Sequence, residues 1–279
     1  MKGDEKMKVE LHCHSTASDG SLSPLELIEQ AKLKGIKILA LTDHDTTGGI
    51  YQAKKAVREL DITIIPGIEL STRFNKENIH ILGYFKDNSY NSQEFQRFLK
   101  DLQEFRIHRG RKIIEKLKEH FNITLDYEKI RFKVPGVLGR PHIAKALIED
   151  KYAESYDEVF SKFIGKDSPA YVPNKYVSLE DGVAILKKFN ALVILAHPIL
   201  ITKNNYKEIA LKGFDGIEAY YSSHSLAATK DYSLFAEEHK LLICGGSDFH
   251  GLKDSNHGYL GEISPPEAAI QRFMEALKN

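Results

Sequence analysis

The sequence has no tryptophan, three methionines and two cysteines among its 279 residues. Two cysteines cannot build a disulfide framework, so a packed core must hold the chain. Cys13 and Cys244 both sit in apolar runs, where buried free thiols are expected. There is no excess of charge of either sign: 39 Lys and Arg stand against 39 Asp and Glu. That balance excludes a general nucleic-acid coating protein, which would be basic throughout. No apolar run approaches the ~20 residues that span a bilayer. The best, Ala191 to Ile201, contains His197 and Pro198. The charged start lacks an apolar signal core, so a cytoplasmic protein is expected. Met1 to Lys6 shows no pattern, and Met7 is an equally good candidate for the natural start. Repeats and low-complexity stretches are missing too.

What is present is a rhythm. Short runs rich in β-branched residues recur at Lys8–Leu11, Ile36–Leu41, Ile62–Ile65, Ile79–Leu82, Leu192–Ala196, Gly216–Ala219 and Leu241–Cys244. Helical patterns separate most of them. Ser23-Pro24 opens one helix that Gly35 ends, and Gly49 to Leu60 reads as a second. Ser178 caps a third through Phe189, Leu226 to His239 is a fourth, and Ser264-Pro265 opens the last. Alternating strands and helices predict βαβ units and a parallel sheet. The stretch from about 86 to 168 breaks the rhythm and reads as helical. It includes a long helix over Gln93–His120, with Gly110 as a candidate break, then Pro141–Glu149 and Ser155–Phe163. The expected organisation is therefore 1–85 and 169–279 as one barrel, interrupted by a helical insertion at 86–168. The insertion carries 17 basic and 14 acidic residues, so it is slightly basic.

The informative feature is the chemistry of the residues at the strand ends. The first strand leads into His12, His14 and Asp19, and the second into His44. The third leads into Glu69, and the fourth carries His80. His197 ends the fifth, and Asp248 and His250 end the seventh. In a (β/α) barrel the C-terminal strand ends meet at one face, so these nine residues would converge there. Carboxylates and imidazoles crowded at one point suit divalent cations, and carboxylates can bridge two of them. A lone His-x-His would be weak evidence; nine such residues in register with successive strands are strong. His108, His120, His239 and His257 read as surface histidines. Asp43 and Asp45 beside His44, and Ser15, Ser18 and Ser247 beside other ligands, read as residues that orient their neighbours. Tyr220 and Tyr221 alternate on a strand, so one is expected in the core.

The motifs His12-Cys13-His14-Ser15, Ser18-Asp19-Gly20, Leu41-Thr42-Asp43-His44-Asp45, Pro66-Gly67-Ile68-Glu69, Ala196-His197-Pro198 and Gly246-Ser247-Asp248-Phe249-His250-Gly251 resemble the PHP family, named for polymerase and histidinol phosphatase. The resemblance implies a distorted seven-stranded TIM-like (β/α) barrel, the PHP fold, here with a mostly helical insertion. It also implies two to three divalent ions, Mn, Fe or Zn. One would take His12, His14, Glu69 and Asp248. A second would take Asp19, His44 and His250. A third would take Glu69, His80 and His197. Asp19, His44, Glu69 and His250 would then be the catalytic set. Gly139-Arg140-Pro141-His142-Ile143-Ala144, Pro169-Ala170-Tyr171-Val172-Pro173 and Ile217-Glu218-Ala219-Tyr220 resemble one subfamily more narrowly, that of nucleoside 3′,5′-bisphosphate phosphatases and 5′-to-3′ exonucleases on short RNA.

The expected function is thus metal-dependent hydrolysis of a phosphate ester. The expected substrate is a nucleotide or the 5′ end of a short oligonucleotide, with no membrane and no long duplex DNA as partner. Histidinol phosphate or another small phosphate ester is the alternative. An amidohydrolase would be expected to show eight strands and a bridging lysine. A non-catalytic metal-binding module would not need a complete ligand set. Arg106 and Arg109 share a helix face, and Arg140 immediately precedes Pro141, the expected first residue of a helix whose N-terminus suits phosphate. These three and His224 are the candidate phosphate contacts.

Overall fold

The computed structural model describes residues 7–57, 61–132, 138–173, 176–252 and 257–279. The chain divides into two compact units, Met1–Gln96 with Tyr176–Asn279, and Arg97–Lys175. The first unit contains strands β1 (Lys8–Cys13), β2 (Ile36–Leu41), β3 (Thr63–Phe74), β4 (Glu77–Phe85), β5 (Val177–Ser178), β6 (Ala191–Leu195), β7 (Gly216–Tyr221) and β8 (Leu242–Gly246). The main path runs β1-β2-β3-β4-β6-β7-β8, with the two-residue β5 beside β3. The path nearly closes on itself. Asp248 N donates to His12 O at 2.8 Å, and His14 N donates to Phe249 O at 2.9 Å. The result is a seven-stranded barrel-like sheet with helices around it.

The sheet is not parallel throughout, which corrects the sequence expectation. β4 runs antiparallel to both β3 and β6, while every other neighbouring pair on the path is parallel. The cause is local: only Asn75 and Lys76 separate β3 from β4, and both take positive φ, 43° and 68°. Two such residues form a tight reversal that no parallel crossover permits. β3 also runs eight residues past Pro66, well beyond the run Ile62–Ile65.

One core cluster draws on six strands, with Val9 and Leu11 of β1 beside Ile38, Ala40, Ile65, Tyr84, Ile194 and Cys244. A second lies between the sheet and the helices α1 (Pro24–Leu33) and α2 (Ile50–Ala56), and it includes Cys13, Leu39 and Leu41. Each fully buried Leu or Ile contributes about 1.5–3 kcal/mol to such clusters. Val9 and Leu11 belong to the first cluster, yet Cys13 belongs to the second. Strict alternation would put all three on one face. The β1–β2 register shifts between Glu10 and Cys13, and this irregularity reverses the alternation. It turns His12 and His14 toward the inside.

The remaining helices of this unit are α7 (Leu179–Lys188), α8 (Tyr206–Ala210), α9 (Leu226–Glu238) and α10 (Glu267–Lys278). Ser23 caps α1 through a reciprocal pair with Glu26, and Ser178 caps α7. The last helix begins after Pro266, not at Ser264-Pro265. A proline disfavours helical backbone in the residue before it, so Pro265 cannot continue a helix into Pro266. Residues 58–60, at the end of the expected second helix, lie outside the described residues. The long helix α3 (Gln93–Phe121) is unbroken at Gly110, where a β-carbon would press on Tyr127 and Leu138 at 3.2 and 3.3 Å. Glycine is there for close packing rather than for a kink. The second unit continues with α4 (Tyr127–Phe132), α5 (Arg140–Glu149) and α6 (Tyr156–Val159) around its own core of Ile113, Leu117, Leu138, Ile143 and Leu147. Among the described residues no helix is long and apolar enough to cross a membrane.

Candidate metal centre

The reversed strand matters for the site. His80 lies near the start of β4, paired with Ser71 of β3. Because β4 runs backwards, its beginning is at the same end of the sheet as the C-terminal ends of the parallel strands. Glu69 reaches that end from the middle of β3, where an isolated bridge joins it to His44. The nine residues singled out by the sequence therefore meet at one end of the first unit.

Glu69 is the hub. Its Oε2 lies 3.2 Å from His12 Nε2, 3.1 Å from His14 Nε2 and 3.1 Å from His44 Nδ1. Its Oε1 lies 2.8 Å from His80 Nδ1 and 2.9 Å from His197 Nε2. Asp248 Oδ1 lies 3.2 Å from His12 Nε2 and 3.0 Å from His14 Nε2. Asp19 faces His250 Nε2 at 3.4 Å and His44 Nε2 at 3.8 Å. The floor of the site, His12, His14, Glu69 and Asp248, is buried, whereas the side chain of Asp19 is 41% exposed at the rim.

Around this hub the partners are fixed. His12 Nδ1–H donates to Glu218 Oε1 at 2.9 Å, and Glu218 Oε2 accepts from His197 N at 2.7 Å. That bond directs His12 Nε2 toward Glu69 and Asp248. Asp43 accepts from Ser15 N, Ser15 Oγ and Ser18 Oγ, at 2.7, 2.8 and 2.7 Å. Asp45 accepts from Ser71 N and Ser71 Oγ. Asp45, His197 and Asp248 hold left-handed backbone, with φ of 52°, 23° and 56°. Such conformations are costly for a non-glycine residue and concentrate at functional sites.

The electrostatics follow from the crowding. Burial would raise the Glu69 pKa, but His44, His80 and His12 hold it well below the usual carboxylate range. Burial would lower that of His14, yet the carboxylates of Asp248 and Glu69, 3.0 and 3.1 Å away, push it up to about 10. His44 goes the other way, to about 4, because burial outweighs Glu69.

These residues fit a metal centre on one observation. His12 Nε2, His14 Nε2, His44 Nδ1, Glu69 Oε2 and Asp248 Oδ1 are all buried without a well-formed hydrogen bond, and the three nitrogens each lie within 3.2 Å of Glu69 Oε2. Buried polar atoms are rarely left so. Ligands at right angles around an ion ~2.1 Å away lie about 3.0 Å apart, the spacing seen here. Three sets can each bring their ligand atoms within 4.8 Å: His12, His14, Glu69 and Asp248; His14, Asp19, His44 and His250; and His44, Glu69 and His80. His197 approaches Glu69 from the remaining side.

A fourth set, Asp248, His250 and His257, contains a residue that sequence reasoning assigns to the surface. His257 stacks on His250, with ring centroids 4.0 Å apart. No spacing rule signals it, because it arrives on a loop rather than a strand. Glu218 and Tyr221 now have defined places. Glu218 orients His12, and the buried Tyr221 donates its hydroxyl to Asp248 Oδ2 at 3.1 Å. Glu10, buried in β1, belongs to no motif in the sequence. Of the candidate phosphate contacts, His224 is half-buried, its Nδ1–H donating to Ala219 O at 2.9 Å. In the second unit, Arg106 is half-exposed on α3, and the buried Arg109 donates through Nε to Val172 O at 3.0 Å. Arg140, at the start of α5, lies over the Phe160 ring.

Comparison with known proteins gives a consistent set of relatives. Residues 10–170 match the family described as PHP domain. The chain is 30% identical to a 3′,5′-nucleoside bisphosphate phosphatase of Chromobacterium violaceum, over 96% of each chain. It is 30% identical to a 5′-3′ exoribonuclease of Haemophilus influenzae, over 87% of this chain and 90% of that one. Among solved structures, an amidohydrolase from Chromobacterium violaceum with bound sulfate and no metal superposes with a TM-score of 0.78. That chain is 30% identical, and the match covers 97% of this chain and 96% of the other.

Proposed function

The chain belongs to the PHP domain family and is a metal-dependent phosphoesterase, and from that premise we propose that it acts on a nucleotide, either a nucleoside 3′,5′-bisphosphate or the 5′ end of a short oligonucleotide. The observation that carries the substrate reading is similarity along nearly the whole chain to proteins named for those two activities. The convergence of five unpartnered buried atoms supports the catalytic part.

In this reading His12, His14, Glu69 and Asp248 would hold one cation on the buried floor. Asp19, His44 and His250 would hold a second, and Glu69, His80 and His197 would hold a third. Mn, Fe or Zn would each accept this mixture of imidazole and carboxylate. When bound, such cations polarise a phosphoryl oxygen and acidify a water. The protein's own contribution is orientation. Glu218 fixes the tautomer of His12, Asp43 braces the loop after His14 through Ser15 and Ser18, and Asp45 ties the turn after β2 to Ser71. The buried floor excludes water on one side, while Asp19, His44 and His80 leave the other open to substrate. Asp19, His44, Glu69 and His250 form the catalytic set. The proposal keeps Arg106, Arg109, Arg140 and His224 as phosphate contacts on their chemistry, since guanidinium and imidazolium groups both donate to phosphate oxygens.

The test is phosphate release by the Mn-loaded protein. Adenosine 3′,5′-bisphosphate should exceed adenosine 5′-monophosphate and histidinol phosphate in kcat/KM by about tenfold or more, the equivalent of one added charge-assisted contact. Equal rates on all three would sink the bisphosphate reading, and a short 5′-phosphorylated oligoribonucleotide left intact as well would sink the nucleotide reading whole.

A further inference from the structure

His250 does not stand alone in the centre. Its ring stacks on His14 on one face, with centroids 4.2 Å apart and planes 22° from parallel. On the other it stacks on His257, at 4.0 Å and 24°. Along one edge Nδ1–H donates to the carbonyl oxygen of Asp248 at 2.8 Å, so Nε2 is directed toward Asp19 Oδ1, 3.4 Å away. A ring held by one hydrogen bond can still rock about it, and a flat neighbour on each face prevents that. His14 supplies the inner neighbour from the floor. His257 supplies the outer one, with its side chain 29% exposed.

His257 is itself anchored. The next residue, Gly258, donates its N–H to Ser247 O at 2.9 Å, which ties the segment back to the end of β8. A β-carbon at 258 would meet Ser222 Cβ at 2.6 Å and Ser247 O at 2.8 Å, so only glycine permits that approach. The loop is thus built to bring the imidazole at 257 against His250.

We propose that His257 is a positioning residue for the metal ligand His250, acting as the outer leaf of a three-imidazole stack and not as a ligand. Nitrogen lone pairs lie in the ring plane. The rings at 250 and 257 lie face to face, 4.0 Å apart and 24° from parallel, so their closest approach is ring on ring. His257 Nε2 lies 3.8 Å from Asp248 Oδ2, an oxygen already taken by the Tyr221 hydroxyl at 3.1 Å. The role rests on the metal-centre reading, and it assigns function to a residue outside the nine ligands.

The experiment is Mn²⁺ titration by calorimetry, with metal content after dialysis, on the full chain and on His257→Ala, His257→Phe and His257→Gln. Removing a residue that orients a ligand lowers metal affinity by about tenfold or more. His257→Ala and His257→Gln should therefore hold the weakest-bound ion about tenfold less tightly. His257→Phe keeps a flat ring and loses both nitrogens, and it should return to within about threefold of the unsubstituted protein. If His257→Ala does not fold, the Phe and Gln pair decides alone. A Phe variant as weak as Gln would overturn the proposal and make His257 a ligand. Unchanged affinity in all variants would also overturn it. Failure of the unsubstituted protein to bind Mn²⁺ would instead overturn the metal-centre reading itself.

Discussion

Glu10 and Glu69 are both fully buried carboxylates in the same sheet, and burial has opposite outcomes for them. Glu10 Oε1 accepts from His12 N and Ser247 N, and Oε2 from Ser247 Oγ and Gly261 N, at 2.6 to 3.2 Å. Its donors are neutral, so burial prevails and pushes its pKa up to about 7. Glu69 is ringed by imidazoles that pull its pKa far down, and its Oε2 has no hydrogen bond. A satisfied carboxylate with neutral donors is a structural strut. One crowded by several imidazole nitrogens, without a well-formed hydrogen bond of its own, is shaped for a cation. The contrast separates support from chemistry more clearly than burial does.

The sharpest way to break this contrast is Glu69→Gln. It should lower phosphate release by about three orders of magnitude, the effect of losing several kcal/mol of cation-based stabilisation. Metal content after dialysis should fall with it; full metal occupancy in this variant would refute the hub role. Next in size is pH. The metal-free His14 keeps its proton up to about pH 10. A cation must displace that proton, so Mn²⁺ affinity should rise with pH between about pH 6 and 8. The slope should be roughly tenfold per unit for each proton displaced. Calorimetry in buffers of different ionisation enthalpy measures the protons released, and none released would contradict the assignment. The smallest effect belongs to Glu10→Gln. The amide group turned toward Gly261 N or Ser247 N would leave a buried donor unpaired, costing about 1–3 kcal/mol of stability. Thermal melting should show this while metal stoichiometry stays unchanged; lost metal would merge the two glutamates into one class.

Much of this organisation is legible in the sequence. The β-branched runs mark the strands of the barrel-like sheet, and metal-type residues beside them point to one locus. The parts that escape are set by local geometry that periodicity does not encode. Two residues, Asn75 and Lys76, reverse β4 and make the sheet mixed. An irregularity inside β1 reverses its alternation, so counting by twos from Val9 would send His12 and His14 away from the six-strand core. His257 arrives on a loop, and Glu10 looks like any charged residue in a strand until its three donors from Ser247 and Gly261, far along the chain, are seen. Contacts between segments far apart in the chain are the part a single sequence leaves unwritten.

The seam between the first strand and the last has a mechanical meaning. Few backbone hydrogen bonds join them, His12 O to Asp248 N and His14 N to Phe249 O among them. His12 and His14 stand on one side of that seam and Asp248 on the other. Glu69 and His80, by contrast, belong to one hairpin, whose short loop closes at low entropic cost. A cation shared by His12, His14 and Asp248 would therefore work as a clasp, fastening the two ends of the chain after the hairpin is already in place. Loading the enzyme and latching its barrel shut would be one event, and amide exchange along β1 and β8 would slow when the clasp closes.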